Sequence, residues 1–376
     1  MVDVVLLSLL AMLCGCDDAD DIAMWADARA PLLERWFCWK HGPPSQDTIL
    51  RVFARVKPKS FARMVTSWVE SLRLVPKTGQ IAIDGKALRG SLKGEAGRGT
   101  KGMVFLVNAW MGRAGVLLGQ LKTREKSNEI TAIPDLIASL DISGCTVSID
   151  AAGCHKHIVS EIISGGGAYL IALKDNQPTL RKDVELLFDD AFDSRTRALD
   201  EPARTEFTQV SDVDAGHGRV EERKAYLCRD LRYLTTSGDW LGLNGVGLIE
   251  TQTTNERTGE VSQEQRYYIL SNPSLTAEDL LLQTREHWSV ESMHWIMDVV
   301  FGEDSCRILN RQAAENFSLL RKTALGLLKA APPPRNYTRM TYRKRRKWCD
   351  WDPDYLLNVL IGTPRPDARG ESFSRD

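Results

Sequence analysis

The sequence predicts an α/β protein in which a mixed sheet follows a helical N-terminal domain and carries a β-rich insertion. Three observations predict it. Residues 1 to 75 space their apolar side chains at helical intervals, the pattern turns extended at Gln80, and residues 186 to 272 alternate polar, strand-like runs with turn signals. The 376 residues are enough for several domains and a sizeable core.

The chain opens on an apolar run, MVDVVLLSLLAMLCGC. Its LCGC ending resembles a lipoprotein leader, but Asp3 and the lack of Lys or Arg ahead of the run favour a buried helix. A membrane-anchored lipoprotein modified at Cys16 is the rival reading, and the run is too short to span a bilayer. In Asp20 to Trp39, Ile22, Trp25, Ala26, Leu32, Leu33 and Trp36 recur at mixed i+3 and i+4 spacing. Pro43 and Pro44 break the chain, Ser45 offers an N-cap for a helix through Val56, and another helix is expected from Ser60 to Leu74. Lys57, Lys59, Arg63 and Arg73 could touch phosphates or simply face water, which makes residues 1 to 75 a possible DNA-binding domain.

Residues 76 to 185 read as the first part of the sheet domain. QIAID (80 to 84) is a short strand ending on Asp84, and MVFLVNAWM (103 to 111) with GVLLGQLKT (115 to 123) is a hairpin turning through Gly112 to Gly115. A helix from Lys126 to Leu140 leads to CTVSID (145 to 150), a second strand ending on an acid. Cys154 to Ser164 is helical, glycines 165 to 167 close it, and AYLIALK (168 to 174) is another strand. The insertion (186 to 272) offers strands at 220 to 228, 246 to 254 and 265 to 270. Residues 273 to 330 hold a helix from Thr276 to about Gly302 and another from Gln312 to Ala330. Residues 331 to 376 read as a basic tail with an apolar segment around Tyr355 to Ile361 and disorder after Pro364.

Composition excludes little but is informative. Hydrophobic residues at 43% and a net charge of −1 describe an ordinary soluble protein without a global basic field, so any nucleic-acid contact must be local. Arg335 to Lys347 carries seven Lys or Arg and no acid, interleaved with Tyr337 and Tyr342. That mixture suits a phosphate backbone with occasional stacking, and a solvated tail explains it too. The eight Cys include no CxxC pair, which points to reduced thiols in a cytoplasmic protein, and no membrane contact is expected of so short an apolar run.

Asp84 and Asp150 end their strands alike. If those strands are parallel neighbours, the carboxylates sit side by side, and their repulsion either raises one pKa or recruits a cation. In the helix after Thr276, His287, Glu291, His294 and Asp298 fall at i, i+4, i+7 and i+11 on one face, with Trp288, Trp295 and Val299 on a neighbouring stripe that can pack inward. Two Asp and one Glu are hard oxygen ligands suited to Mg²⁺, with Mn²⁺ as a substitute. Such a site supports phosphoryl transfer by two ions about 3.5 to 4 Å apart. A plain amphipathic helix with solvated charges is the competing account of residues 285 to 307.

The motifs IAIDGKALRGS (81 to 91), KSNEITAIPDL (126 to 136), TVSIDAAGCHKHI (146 to 158), YLIALKDNQPTL (169 to 180), HGRVEER (217 to 223) and REHWSVESMHWIMDVVFGEDSCRILNRQAAENFSLLR (285 to 321) occur in one order. In them the chain resembles the DDE insertion-sequence transposases of the H-repeat-associated, ISAs-type family. The resemblance implies an RNase H-like catalytic core with a β insertion, and a triad of Asp84, Asp150 and Glu291. It also implies metal-dependent cleavage at the ends of an insertion sequence, with transfer of the 3′-hydroxyl ends into target DNA. The implied partners are double-stranded DNA, as element ends and target, and further copies of the chain. A related cut-and-paste group is similar to a Y, R, E, K signature, and here His287 stands at the Arg place and Asp298 at the Lys place. The family's chain is usually longer before the first apolar helix, so a shortened N-terminus is expected, and His155 stands where members often carry Gln. Same-fold rivals are a nuclease without strand transfer and a degenerate DNA-binding protein that no longer cuts.

Other residues complete the expectations. His287, His294 and Asp298 would orient Glu291 from outside the ligand set. Lys86, Arg89, Lys174, Gln177, Arg343, Lys344, Arg345 and Arg346 are candidate DNA contacts. His155 and His157 form an HxH beside Asp150 but lack an evident third nitrogen or sulfur ligand, so a helix start is the expected role.

Overall fold

A computed structural model describes residues 1–92, 103–123, 129–192, 207–216, 218–334 and 337–361. The start expected for a helix at Lys126 and the disorder expected after Pro364 lie outside the described residues. The chain folds as two compact units, one of Met1–Pro76, Gly85–Asn128 and Val290–Asp376, the other of Lys77–Asp84 and Glu129–Ser289. It passes between them inside a strand, Gly79–Leu88, and inside a helix, Ser289–Val299.

The first unit opens with helices α1 (Val2–Leu13), α2 (Ala19–Ala28), α3 (Ala30–Leu33), α4 (Gln46–Arg55) and α5 (Pro58–Ser71). Leu7 through Leu13 are all buried, so the leader-like run is core. Asp18 accepts from the Asp20 and Asp21 N–H groups to cap α2, and Ser45 accepts from the Thr48 N–H to cap α4. Pro58 opens α5 where its missing N–H is harmless. Strand β1 (Gly79–Leu88) continues four residues past Asp84 instead of ending there, and Gly85–Leu88 belong to this unit. The expected hairpin follows as β2 (Val104–Met111) and β3 (Val116–Thr123). Its ladder shifts between Ala109 and Trp110, leaving Leu118 outside the pairing, and the Leu118 carbonyl accepts from Thr66 Oγ1 at 3.1 Å.

The second unit takes the first half of β1 and continues with α6 (Glu129–Ile137), β4 (Cys145–Ile149), α7 (Lys156–Ser164), β5 (Ala168–Leu173) and α8 (Pro178–Phe192). Strands β6 (Phe207–Gly216), β7 (Arg219–Cys228), β8 (Gly245–Asn255) and β9 (Val261–Leu270) precede α9 (Ala277–His287). Within this unit the order is β1-β4-β5-β9-β8-β7-β6, with β1, β4 and β5 parallel and the rest antiparallel. The segment read as an insertion is therefore continuous with the sheet: β9 pairs with β5, Leu170 opposite Leu270. Strand β6 is an addition to the sequence reading, because FTQVSDVDAG is almost wholly exposed and shows no apolar alternation. Residue 186, taken as the start of the insertion, falls inside α8. A capping box between Thr276 and Asp279 starts α9, whose Ala277, Leu280 and Leu281 cluster with Leu227, Ile249 and Tyr268.

The chain returns to the first unit through α10 (Ser289–Val299), α11 (Arg311–Ala330), α12 (Tyr342–Trp351) and α13 (Pro353–Leu360). Helix α11 is the axis of this unit, buried continuously from Ala313 to Leu328. Asn316 Nδ2 donates to the Phe53 and Val56 carbonyls, both at 2.8 Å, and Phe317 lies 4.5 Å from Phe53 ring to ring. The basic tail and the apolar segment after it form these last two helices, parted at Asp352. Thr341 caps α12 by accepting from the Lys344 N–H.

Gly326 sits mid-helix in α11, where a side-chain methyl would lie 2.8 Å from the Gly115 carbonyl oxygen. Helix propensity alone would make Gly326→Ala stabilising by about 1 kcal/mol. Overpacking costs about 1–3 kcal/mol, so the variant is expected to unfold at lower temperature than the parent. A raised thermal midpoint would mean that the hairpin turn yields to the methyl.

Candidate active site

The site begins with a pair of isoleucines. Ile83 on β1 stands opposite Ile149 on β4, and both are buried. The next residue on each chain is an acid, so Asp84 and Asp150 come out side by side, as strand order would require. Beyond Asp150 the chain turns at once, its carbonyl accepting the Gly153 N–H at 3.1 Å. A Cβ at Gly153 would overlap the Ile149 side chain, so only glycine closes this turn without displacement. Asn176 Nδ2 and Gln177 Nε2 then hold the loop by donating to the Ala151 and Cys154 carbonyls at 2.8 and 2.9 Å.

The Asp150 side chain reaches water, yet crowding by neighbouring atoms is the first cause that raises its pKa and the Asp84 charge is the second. The Gly153 amide, the His287 ring and the Ala152 amide act in the opposite direction. His287, the last residue of α9, has its own pKa lowered by burial, against the pull of Asp84 and Asp150. Its ring is therefore neutral near pH 7 and does not cancel the carboxylates. Its Nδ1 lies 3.0 Å from Ser148 Oγ, which accepts from Gln80 Nε2 at 2.7 Å. That contact fixes the orientation of the ring beside the acids. Gln80 Nε2 also donates to the Gln283 carbonyl at 2.8 Å. The residues present fit a divalent cation: hard oxygen donors in a close pair, with a neutral imidazole beside them. Among the described residues, no three His, Cys, Asp or Glu side chains are grouped as ligands of one ion.

Glu291 belongs to the other unit, in the first turn of α10, with an exposed side chain. The single helix expected from Thr276 to Gly302 is two, α9 and α10, parted at Trp288. The stripe expected to face inward is exposed: Trp295 at 59%, Val299 at 44% and Trp288 at 37%. Val290, Met293 and Met297 are the buried face instead. Flexible methionines fill this core face, and Trp288 finds its partner in the Arg266 guanidinium, 4.7 Å from the ring.

His294 and Asp298 enter a network centred on Lys86. The Lys86 ammonium donates to the His294 carbonyl at 3.0 Å and to Asp298 at 2.6 Å, and lies 3.1 Å from Glu303 Oε2. Asn108 Nδ2 is 3.3 Å from His294 Nε2. Glu303 accepts from the Ser318 hydroxyl at 2.7 Å. The fully buried Lys322 ammonium donates to Asn108, Gln120 and Ser318 at 2.7, 3.1 and 2.9 Å. Burial pushes the Glu303 carboxyl upward, but Lys322, Lys86 and Arg321 outweigh it and bring its pKa down to about 2. Burial also lowers Lys322, to about 8. Sequence reading missed Glu303, Lys322, Asn108 and Gln120. For Asn108 the signal is a lone polar residue inside an apolar run, MVFLVNAWM, whereas Glu303 and Lys322 stand beside other charged residues and carry no such mark.

The candidate DNA contacts divide by burial. Arg89, Lys174, Arg343 and Lys344 are at the surface. Lys86, Arg345 and Arg346 are buried and structural, contrary to expectation. Arg346 donates to the Met12 carbonyl at 2.9 Å and to Asp17 at 2.6 Å, and stacks 4.3 Å over Phe301. Arg345 donates to the Leu328 carbonyl and, at 3.0 Å, to that of Ala331. The physical reason is that α1 and α11 end with carbonyls that lack intrahelical donors, and guanidinium groups supply them. Gln177 is spent on the Cys154 carbonyl. His155 is the N-cap residue of α7, as a helix start requires. Among the described residues, no helix is long and apolar enough to cross a membrane.

Two family models match this chain: "Transposase DDE domain" over residues 76–327 and "DDE_Tnp_1-associated" over residues 1–69. It is 34% identical over 366 residues to the "H repeat-associated putative transposase YhhI" of Escherichia coli strain K12, covering 96% of this chain and 92% of that one. It is 33% identical over 226 residues to the "H repeat-associated putative transposase YbfD" of the same strain, covering 60% and 85%. A solved piggyBac transposase synaptic complex with hairpin DNA aligns with a TM-score of 0.38 at 9% identity, over 94% of this chain and 81% of that one, and bears no weight at that similarity. The chain belongs to the DDE transposases, in the H-repeat-associated family.

Glu303 also gives a pH prediction. Its folded pKa lies below the ordinary 4.5, so its contribution to stability is present above that value and is lost as pH falls toward about 2. Glu303→Gln, which leaves two buried ammonium groups facing a neutral amide, is expected to cost about 3–5 kcal/mol at neutral pH. It should also flatten the loss of stability between pH 4.5 and about 2. Urea unfolding across that range tests both, and a parental acid limb in the variant would remove Glu303 as its cause.

Proposed function

We propose that this protein is a DNA transposase whose phosphoryl-transfer site is built from Asp84, Asp150 and Glu291. The observation that carries the reading is the parallel register of β1 and β4, which sets two carboxylates next to each other beside a neutral imidazole. The family match and the relatives' names support the same activity. Glu291 joins the pair through the match of REHWSVESMHW to the family motif.

Divalent cations, Mg²⁺ or Mn²⁺ in its place, would when bound supply Lewis acidity at the phosphodiester and activate the attacking water or 3′-hydroxyl. Asp84, Asp150 and Glu291 would hold them. The chain's own residues give the site its shape. The turn at Gly153 aims Asp150, while Ser148 and Gln80 orient the His287 ring and burial keeps it neutral. The substrates are double-stranded DNA: the ends of the mobile element, which are cut, and a target to which the freed 3′-hydroxyls are joined. Handling both ends of an element calls for more than one copy of the chain on DNA.

Asp84→Ala, Asp150→Ala and Glu291→Ala are each expected to abolish Mg²⁺-dependent cleavage of DNA carrying the element's ends, with duplex binding kept. Cleavage surviving in one variant would remove that residue from the site. Joined products distinguish a transposase from a nuclease. Well-folded parent protein that binds the ends and never cuts them would sink the reading in favour of a DNA-binding protein without cleavage.

A further inference from the structure

The cations of the C-terminal run are partly consumed inside the fold, whereas another set is not. Arg51 to Arg63, RVFARVKPKSFAR, holds five Lys or Arg and no acid. It forms the second half of α4, the turn and the first half of α5. Phe53 and Phe61 are buried at its centre and meet edge to face, 6.1 Å ring to ring. Arg51 and Arg55 lie two residues either side of Phe53, and Lys59 and Arg63 two residues either side of Phe61. Two residues of helix are about 200° of turn, so each pair faces away from its own phenylalanine. Arg51, Arg55, Lys57, Lys59 and Arg63 are all exposed. Arg51 donates only to the neutral Asp47 carbonyl and Thr48 hydroxyl. The other four make no ion pair among the described residues.

The platform beneath them is rigid. Asn316 and Gln312 on α11 donate to the Val56 carbonyl, both at 2.8 Å, and Asn316 also holds that of Phe53. The turn between the helices is therefore bolted to the buried axis of the unit.

We infer that the outward faces of α4 and α5, with Lys57 between them, form a docking surface for the phosphate backbone of duplex DNA. The inference rests on the nucleic-acid partner of the function proposed above. Charge complementarity carries it: five unneutralised cations on one fixed helix pair match a polyanion, and their helical spacing sets neighbours about 5–6 Å apart. Contacts to phosphate oxygens position DNA and do not read its sequence.

The test is fluorescence anisotropy of a labelled DNA duplex titrated with the full chain at several salt concentrations. Parent is compared with Arg51→Gln/Arg55→Gln/Lys59→Gln/Arg63→Gln and with the milder Lys59→Gln/Arg63→Gln. The slope of log affinity against log salt should become shallower by about 0.9 for each phosphate no longer neutralised, hence by about 3 to 4 in the quadruple variant and about 2 in the double. The weakening should be the same on element-end and unrelated duplexes, with the thermal midpoint of parent retained. Asp84→Ala protein should bind like parent, which keeps a failure of the cleavage chemistry apart from a failure of this surface. A quadruple variant with parental slope and affinity would overturn the inference. So would parent protein that binds anionic phospholipid vesicles and no duplex.

Discussion

Ile81, Ile83, Val147 and Ile149 are each at most 2% exposed, and their burial in one parallel register is the constraint from which the candidate site follows. A slip by one residue would set each strand's side chains against the wrong faces of its neighbour. The register is therefore enforced by apolar packing. Because an acid follows the last isoleucine on both strands, the same packing forces two like charges together. Their repulsion is a cost that the fold sustains through the hydrophobic effect, and it adds to burial, the larger cause, in raising the Asp150 pKa.

The first unit shows the opposite arrangement. There a buried carboxylate, Glu303, is surrounded by Lys86, Lys322 and Arg321, and the cations outnumber the acid. Such groups contribute less to net stability than apolar replacements of equal volume, but removing one member leaves the others uncompensated. The network holds α10 through Asp298 and the His294 carbonyl, both bound by Lys86 of the same unit. Cations in this protein thus fall into two populations. Lys86, Lys322, Arg345 and Arg346 are internal fasteners, and Arg51, Arg55, Lys57, Lys59 and Arg63 face water.

How much of this was legible depended on whether local chemistry or distant packing decided the matter. Caps and turns read well: Ser45, the hairpin through Gly115 and the start of α11 each depend on residues within a few positions. So did the strands that bring Asp84 and Asp150 together, through the apolar runs IAI and TVSI that precede the two acids, although β1 runs on past Asp84. Strand β6 was not legible because its polar sequence is held by the ladder to β7 and not by burial. Trp295 was assigned to the wrong side because bulk in a helix suggests core, whereas Met293 and Met297 took that face. The charge run from Arg335 to Lys347 suggested one surface, yet adjacent residues on α12 point to opposite destinies: Lys344 to water, Arg345 to the end of α11. Nothing in a run of like charges marks which member will meet an unsatisfied carbonyl.

Arg346 carries one consequence for how the chain is made. It donates to the carbonyls of Met12 and Cys16, 334 and 330 residues earlier. The C-terminal end of α1 is thus held by a residue of α12, far along the sequence from it. Without α12, α1 loses these two donations, although the Cys14, Gly15 and Cys16 amides still close its last turn. A product stopped by an interrupted reading frame ahead of α12 never acquires the two donations.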